Sequence, residues 1–301
     1  MDGFNSPTST GLGPAYGNVG APASGIAPTI SITSPTGGSL TGRHVQISGT
    51  ISGQPNVGVA VNGERAYVYN GTFLTRTLTL DATTSQLSAV ATTPDGLSAT
   101  ASTTISVSSI EPDATLEADA DAGFAPLPVG FAIRLRPGLE LTAQNIIIDY
   151  STDRTPDYNG SSPIPLTMYA GPGVYTATAD ITLSDNSHRI VSRKVIAVDL
   201  AEQRTNVCSV YANLKARLVA QDAAGAVRSV TGGLHPKLLA FFTAMGAKMP
   251  IAGAGLGTLA DGTLGLDGAD VVAVREVSGK LRGYPIHFTR DATGVWRIDA
   301  M

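Results

Sequence analysis

Apolar and polar residues alternate along most of the chain before residue 200. Between 28 and 108, short alternating runs are separated by turn residues about every ten positions, which is typical of an antiparallel β-sandwich. The pair Asn62 and Gly63 favours a tight hairpin in this segment, because both residue types tolerate a positive φ. The pattern predicts about seven strands and a sandwich over residues 28–109.

A second alternating segment, residues 114–199, follows a short hinge at 110–113. The alternation predicts a second antiparallel sandwich. Two sandwiches joined by so short a linker predict a stiff rod.

From Leu200 onward the apolar residues recur three and four positions apart, which predicts an amphipathic helix. These residues are Val207, Val210, Tyr211, Leu214 and Leu218. Thr205 or Asn206 is a suitable N-cap for this helix, and another helix begins near His235. Alternating strand patterns follow, so helices come first and an antiparallel meander afterwards. This order predicts an α+β domain over residues 203–301.

Four stretches of the first segment resemble the bacterial Ig-like domains that occur in tandem on surface proteins and beside secreted glycosidases. They are PTISITSP at 28–35, VQISGT at 45–50, VAVNG at 59–63 and AVATTPDG at 89–96. In the second segment, GFAPLPV at 123–129, IIIDY at 146–150 and GPGVYTA at 171–177 resemble the PKD-type Ig-like domain. Both resemblances imply a sandwich, a fold that carries many unrelated functions.

The run YPIHFTRDATGVWRI at 284–298 resembles the last hairpin of NTF2-like cone domains. The predicted helix fits the same resemblance through Tyr211, Leu214, Lys215, Leu218 and Asp222. The predicted fold class is therefore multidomain: two antiparallel Ig-like β-sandwiches in tandem plus a C-terminal α+β (NTF2-like) domain. Some cone domains are enzymes that place an Asp or His at the pocket wall, and the resemblance leaves Asp270 and His287 as candidates. The alternative is a filled pocket. The residues that would fill it are Phe242, Met245, Phe288 and Trp296.

Hydrophobic residues make up 43% of the chain and charged residues only 15%. The surface must therefore be covered mainly by uncharged polar residues, as in many exported β-proteins. The net charge is -4, with an excess of basic residues after Arg204 and of acidic residues before it. No basic stripe with interleaved aromatic residues is present, so the sequence does not indicate nucleic-acid binding.

Cys208 is the only cysteine and lies in the predicted helix, so it is expected to be a buried thiol without a disulfide partner. No apolar run of about 20 residues exists, which argues against a membrane span. Residues 1–27 are rich in Gly, Ser, Pro, Thr, Asn and Ala, and predict a flexible linker or tail. They lack the features of a signal peptide, so an exported form would already have lost its signal.

One acidic segment follows the IIIDY strand and carries the spacing of a calcium-type loop. Its oxygen-bearing side chains stand at alternate positions: Asp149, Ser151, Asp153, Thr155 and Asp157. Alternate residues of this type converge on calcium in such loops. However, Arg154 stands where the sharp turn normally needs glycine, and no bidentate glutamate follows. The segment is therefore either a degenerate calcium site or an acidic turn that binds nothing. Calcium is the one metal, and the one cofactor, that the sequence suggests.

These observations predict a secreted or surface-tethered bacterial interaction or adhesion protein without enzymatic activity. The sandwiches would act as spacer or adhesive modules, and the C-terminal domain as the head that binds a protein or glycan at the cell surface. One alternative is a subunit of an extracellular filament, self-assembled by strand addition of the N-terminal tail. Another is an accessory module of a secreted enzyme system. The expected location is extracellular, at the cell surface or in the periplasm.

Overall fold

The structure, a computed structural model, describes residues 2–3, 25–40, 42–81, 83–84, 86–151 and 153–301. Most of the predicted tail, residues 1–27, lies outside the described residues. Strand β1 (Asp2–Gly3) pairs antiparallel with the edge of the C-terminal sheet.

The first β-sandwich is built around one eight-stranded sheet in the order β2-β5-β8-β7-β6-β10-β11-β3, with a separate ladder of β4 and β9. Alternate residues of β10, Leu87, Ala89 and Ala91, are fully buried, as the period of two predicts. Asn62 and Gly63 both adopt a positive φ, of 48° and 86°, and connect β6 to β7. The predicted tight hairpin is therefore confirmed. The strands are β2 (Thr29–Ser34), β3 (Gly38–Leu40), β4 (His44–Val45), β5 (Ser48–Ser52), β6 (Gly58–Val61), β7 (Glu64–Tyr69), β8 (Thr72–Thr75), β9 (Leu78–Thr79), β10 (Gln86–Thr92) and β11 (Ser98–Val107).

The second sandwich has a five-stranded sheet in the order β13-β20-β19-β16-β17 and two ladders, β12-β15 and β14-β18. Its core again follows the period of two, since Ala177, Ala179, Ile181 and Leu183 of β19 are all buried. The strands are β12 (Ala114–Ala118), β13 (Ala122–Phe124), β14 (Leu127–Val129), β15 (Phe131–Leu135), β16 (Ala143–Asp149), β17 (Tyr158–Gly160), β18 (Thr167–Tyr169), β19 (Gly173–Leu183) and β20 (His188–Val198).

The C-terminal segment packs a long helix against an antiparallel meander of four strands. Its helices are α1 (Leu200–Val219), α2 (Ala223–Ala226), α3 (His235–Met245) and α4 (Met249–Ala254), with 3-10 turns at Val227–Ser229, Gly232–Leu234 and Gly246–Lys248. Its strands are β21 (Thr258–Leu264), β22 (Gly268–Val277), β23 (Lys280–Arg290) and β24 (Trp296–Ala300). Within the described residues, none of the helices has the length and apolar character needed to cross a bilayer.

Helix α1 begins earlier than the apolar period predicts. Its N-cap is Asp199, whose carboxylate accepts a hydrogen bond from the Ala201 amide at 2.7 Å, so the predicted N-caps Thr205 and Asn206 are wrong. Both lie inside the helix, which begins at Leu200. The pattern missed the first turns because polar side chains occupy their inward positions.

The predicted rod is also wrong, because the second sandwich folds back onto the first and strand β20 lies against β7 and β8. The side-chain amide of Gln46 exchanges two hydrogen bonds with the backbone of Lys194, at 2.9 and 3.0 Å. Tyr67 and Leu74 of the first sandwich share an apolar cluster with Ile196 of the second, and Leu266 of the C-terminal segment packs against it. All three parts therefore contact one another at one junction.

Candidate ligand cleft between the first sandwich and helix α1

The first sandwich and the C-terminal segment are joined by the loop between β5 and β6. In this loop Asn56 adopts a positive φ of 64°, a conformation that asparagine tolerates. Its side-chain oxygen accepts a hydrogen bond from the Trp296 amide at 2.9 Å, and its side-chain nitrogen donates to the Trp296 carbonyl at 3.3 Å. Strand β24, which begins at Trp296, is thus bonded directly to the first sandwich.

A second group of contacts joins the turn at 93–96 to the same segment. Arg217 forms an ion pair with Asp95 at 3.3 Å, and Arg228 donates to the Asp95 carbonyl at 2.7 Å. Arg297 donates to the Pro94 carbonyl at 2.7 Å. Two separate turns of the first sandwich therefore hold the C-terminal segment in place.

Behind Asn56, a buried polar network fixes the orientation of Gln203. The Gln203 side-chain oxygen accepts from Arg290 at 2.6 Å and from the Trp296 indole nitrogen at 3.2 Å. Since both partners are donors, the amide nitrogen of Gln203 must point the other way. The Arg290 guanidinium also lies 4.8 Å from the centre of the Trp296 ring. Burial lowers the pKa of Arg290 to about 10.

In front of this network lies a cleft of about 520 Å³. One wall is the β5–β6 loop with the turn at 70–71, and the other is the N-terminal part of α1. Ligand sites in proteins commonly have volumes of about 300–1,000 Å³ and combine apolar walls with a few placed polar groups. This cleft has that composition. Its lining residues are Ile51, Ser52, Gly53, Gln54, Pro55, Asn56, Val57, Val68, Asn70, Gly71, Glu202, Gln203, Thr205, Asn206 and Arg290.

Asn206 and Glu202 are polar residues on the α1 wall of the cleft. Asn206 is only 8% exposed, yet its amide forms no hydrogen bond with any residue that the structure describes. Its amide atoms remain accessible from the cleft, so they are open to a ligand. Burial raises the pKa of the Glu202 carboxyl, the nearby Asp199 raises it further, and Arg290 opposes the rise.

The predicted calcium-type turn is held together by its own carboxylates. Asp149 accepts hydrogen bonds from the amides of Ser151 and Arg154, each at 2.8 Å. Asp153 accepts from the Thr155 amide at 2.7 Å, and Asp157 accepts from the Tyr150 amide at 2.7 Å. Arg154 adopts a positive φ of 66° at the position where such loops carry glycine.

The five predicted calcium ligands therefore lie in one turn, and three of their carboxylates bond to backbone amides. Across the part of the chain that the structure describes, no three His, Cys, Asp or Glu side chains are grouped as they would be around a metal ion. Calcium binding stays a prediction, and the observed bonds favour the acidic turn.

Asp270 and His287 pair with each other, but not at a pocket wall. His287 Nδ1 lies 2.8 Å from Asp270 Oδ1, and the two residues are opposite each other on β22 and β23. Their neighbours Val271 and Ile286 point into the core, so this pair occupies the other face of the sheet. The idea that they line a cone pocket is wrong. Phe242, Phe288 and Trp296 are buried in the core with Met245 packed against it, as the filled-pocket alternative expects. Cys208 is buried in the same core.

Sequence reasoning missed Asn56, Glu202, Gln203, Asn206 and Arg290. For Gln203 and Asn206 the sequence does contain a signal. Gln203 and Asn206 continue the inward stripe of α1 at a spacing of three, ahead of Val207 and Val210, so polar residues replace apolar ones on a buried face. Polar residues at such positions are informative because burying them costs free energy unless they have partners.

The fold defines a protein built mostly from Ig-like β-sandwiches with a smaller helical part. Residues 28–109 match the family described as "Glucodextranase, domain B". No curated protein sequence matches the chain. Ig-like and fibronectin-like domains are typical of surface and extracellular proteins.

Several solved structures are similar to part of the chain. Fibronectin(III)-like modules of Clostridium thermocellum CbhA share 13% identity over 57% of this chain and 96% of theirs, with a TM-score of 0.23. The Ig1-2 module of the Drosophila receptor protein tyrosine phosphatase DLAR shares 13% identity over 58% of this chain and 99% of its own, with a TM-score of 0.25. A putative membrane anchored protein from Corynebacterium diphtheriae shares 14% identity over 57% of this chain and 59% of its own, with a TM-score of 0.23.

Proposed function

We propose that the chain is a non-catalytic binding protein of the bacterial cell exterior, in which three domains act as one body. The ligand occupies the cleft between the first sandwich and α1. The observation that carries this proposal is the side-chain amide of Asn206, which lines a cleft of ligand size and forms no hydrogen bond with another described residue. The first sandwich is then a wall of the binding site rather than a spacer.

The proposed location follows from the Ig-like sandwich at 28–109 and from a surface with few charged residues. We assign the second sandwich to the PKD type on its GFAPLPV and GPGVYTA elements. We assign the C-terminal segment to the NTF2-like cone domains on a long helix packed into an antiparallel meander. The partner is a component of the cell surface, a protein or a glycan.

We propose binding rather than catalysis because of the carboxyl groups that line the cleft. Hydrolysis of a glycosidic bond usually needs two carboxyl groups across the scissile bond. Among the residues lining the cleft, Glu202 supplies the single carboxylate. That arrangement suits recognition of a ligand that leaves unchanged.

A blocking substitution tests the proposal. Thr205 is exposed on the cleft side of α1, and Thr205→Trp fills the cleft without touching the core. Thr243, an exposed threonine on α3, gives the matched control Thr243→Trp. We expect the labelled native chain and the Thr243→Trp variant to bind isolated bacterial cell envelopes, and the Thr205→Trp variant to lose most of this binding. Equal binding by all three proteins would place the binding surface elsewhere.

A further inference from the structure

We infer that the cleft binds a short neutral saccharide. The inference rests on the proposed function, since it names the ligand class for the same cleft. It begins with the hydrogen-bonding groups that the protein leaves unused. The Asn206 amide offers one donor group and one acceptor group, and Gln203 offers its amide nitrogen because its oxygen already accepts two bonds. Glu202 adds a carboxylate acceptor.

A mixed set of donors and acceptors matches hydroxyl groups. Each hydroxyl donates one hydrogen bond and accepts others, so vicinal hydroxyls can bond to an amide and a carboxylate together. Bonds between a hydroxyl and a carboxylate are charge-assisted and stronger than neutral ones. These groups of Glu202, Gln203 and Asn206 lie within about one helical turn of α1, which suits the short spacing of hydroxyls on one sugar ring.

The charges around the cleft argue against an anion. The one guanidinium that lines it, Arg290, uses all three of its nitrogens on the protein. They donate to the carbonyls of Leu266 and Gly294 at 2.9 and 3.0 Å, and to the Gln203 side chain at 2.6 Å. Recognition of a phosphate or a carboxylate ordinarily uses a free guanidinium fork. Arg290 and Glu202 also carry opposite charges, so the cleft has no net charge with which to select a charged ligand.

The opposite wall supplies an apolar surface. Ile51, Val57 and Val68 of the first sandwich line the cleft across from the polar turn of α1. A sugar ring presents C–H groups on its faces and hydroxyls at its edge, so it contacts both walls at once. A volume of about 520 Å³ is in the range of small-ligand sites and leaves room for a short saccharide.

Binding of neutral disaccharides to the full chain tests the inference. Maltose, cellobiose, lactose and diacetylchitobiose are titrated at millimolar concentrations by calorimetry, and we expect at least one to bind. Asn206→Leu should weaken that binding at least about tenfold, which corresponds to the loss of one to two hydrogen bonds to the ligand. The same variant should unfold at an equal or higher denaturant concentration, because it places an apolar side chain at a position that is only 8% exposed and loses no hydrogen bond to another described residue. A residue with a purely structural role would not show that combination.

Two further variants separate the possible outcomes. Thr205→Trp should abolish saccharide binding and Thr243→Trp should preserve it, which keeps the test valid if Asn206→Leu fails to fold. Glu202→Gln should weaken binding of a neutral saccharide modestly and with little dependence on salt. Binding of spermidine that is lost in Glu202→Gln and in high salt, with no saccharide bound, would overturn the inference in favour of a cationic ligand.

The absence of any saccharide binding would also overturn it. If the native chain still bound cell envelopes in a Thr205→Trp-sensitive manner, the proposed function would stand and only the ligand class would be wrong. If Thr205→Trp affected neither measurement, both would fail.

Discussion

Asn56 and Trp296, 240 residues apart, are joined by a reciprocal pair of hydrogen bonds between one side-chain amide and one peptide unit. Both residues are buried, so water cannot replace Asn56 as the hydrogen-bond partner of the Trp296 N–H and C=O. The first sandwich and the C-terminal segment therefore depend on each other for stability. The cleft between them is maintained by this contact.

Removing the Asn56 side chain should uncouple the two parts. We expect Asn56→Ala to lower the free energy of unfolding by about 1–3 kcal/mol, since it leaves a buried N–H and a buried C=O without partners. Asn56→Gly loses the same bonds but accepts the φ of 64° without strain, so it should be the less damaging of the two. Urea denaturation of the full chain measures both. Values within about 0.5 kcal/mol of the native chain would show that the contact contributes little.

Gly58 is a second test of the same interface. A Cβ at this position would lie 2.3 Å from the Thr293 carbonyl oxygen and 2.4 Å from the Val295 amide nitrogen. Neither backbone can move freely, so we expect Gly58→Ala to destabilise the chain by about 1–3 kcal/mol. Gly232→Ala is the matched control, because nothing lies within 4 Å of its Cβ. Thermal unfolding should separate the two variants, and equal melting temperatures would contradict the packing described here.

Glu202 gives the cleft a pH dependence. Its pKa is raised in the folded chain, mainly by burial and then by Asp199, so folding favours the protonated carboxyl. This contribution to stability is complete below the ordinary carboxyl pKa and is lost as the pH rises through the raised value. Glu202→Gln mimics the protonated form. We expect the variant to match the native chain near about pH 4 and to exceed it in stability at about pH 7. A variant that is less stable at pH 7 would mean that the carboxylate has an ionic partner.

The acidic turn of the second sandwich should fold without calcium. The amides of Ser151 and Arg154 already bond to Asp149, so we expect neither millimolar calcium nor a chelator to shift the melting temperature. Asp149→Ala should lower stability by about 1–2 kcal/mol through loss of these bonds. Glu140→Ala, at an exposed position of the same sandwich, should not. A rise in melting temperature with calcium that disappears in Asp149→Ala would instead establish the degenerate loop as a calcium site.

The elements that local patterns determine were predictable, and the contacts between distant elements were not. The alternation of β10 and β19 and the hairpin at Asn62 and Gly63 depend on residues close in sequence, so their period and turn chemistry were sufficient. The prediction of a rod was wrong because a short hinge limits the distance between the two sandwiches but not their relative orientation. That orientation depends on contacts between distant residues, such as Gln46 with Lys194.

The candidate site was the hardest part to predict, for two physical reasons. Alternation along β22 and β23 shows that Asp270 and His287 share one face of the sheet, but not which face. Only the position of α1 on one side of the sheet decides whether that face is the core face or the outer face. The cleft combines residues from two parts of the chain that share no local pattern. Its one sequence signal is polar residues on the inward stripe of a helix, which a search for apolar periodicity excludes.

The separation of Asn56 from Trp296 also imposes an order in time. A ribosome completes the whole first sandwich long before it adds Trp296, which bonds to Asn56 from 240 positions away. A nascent chain that has folded only its sandwiches has one wall and no site. Affinity for the ligand therefore arises as a late step of maturation, after the most distant parts of the polypeptide have met.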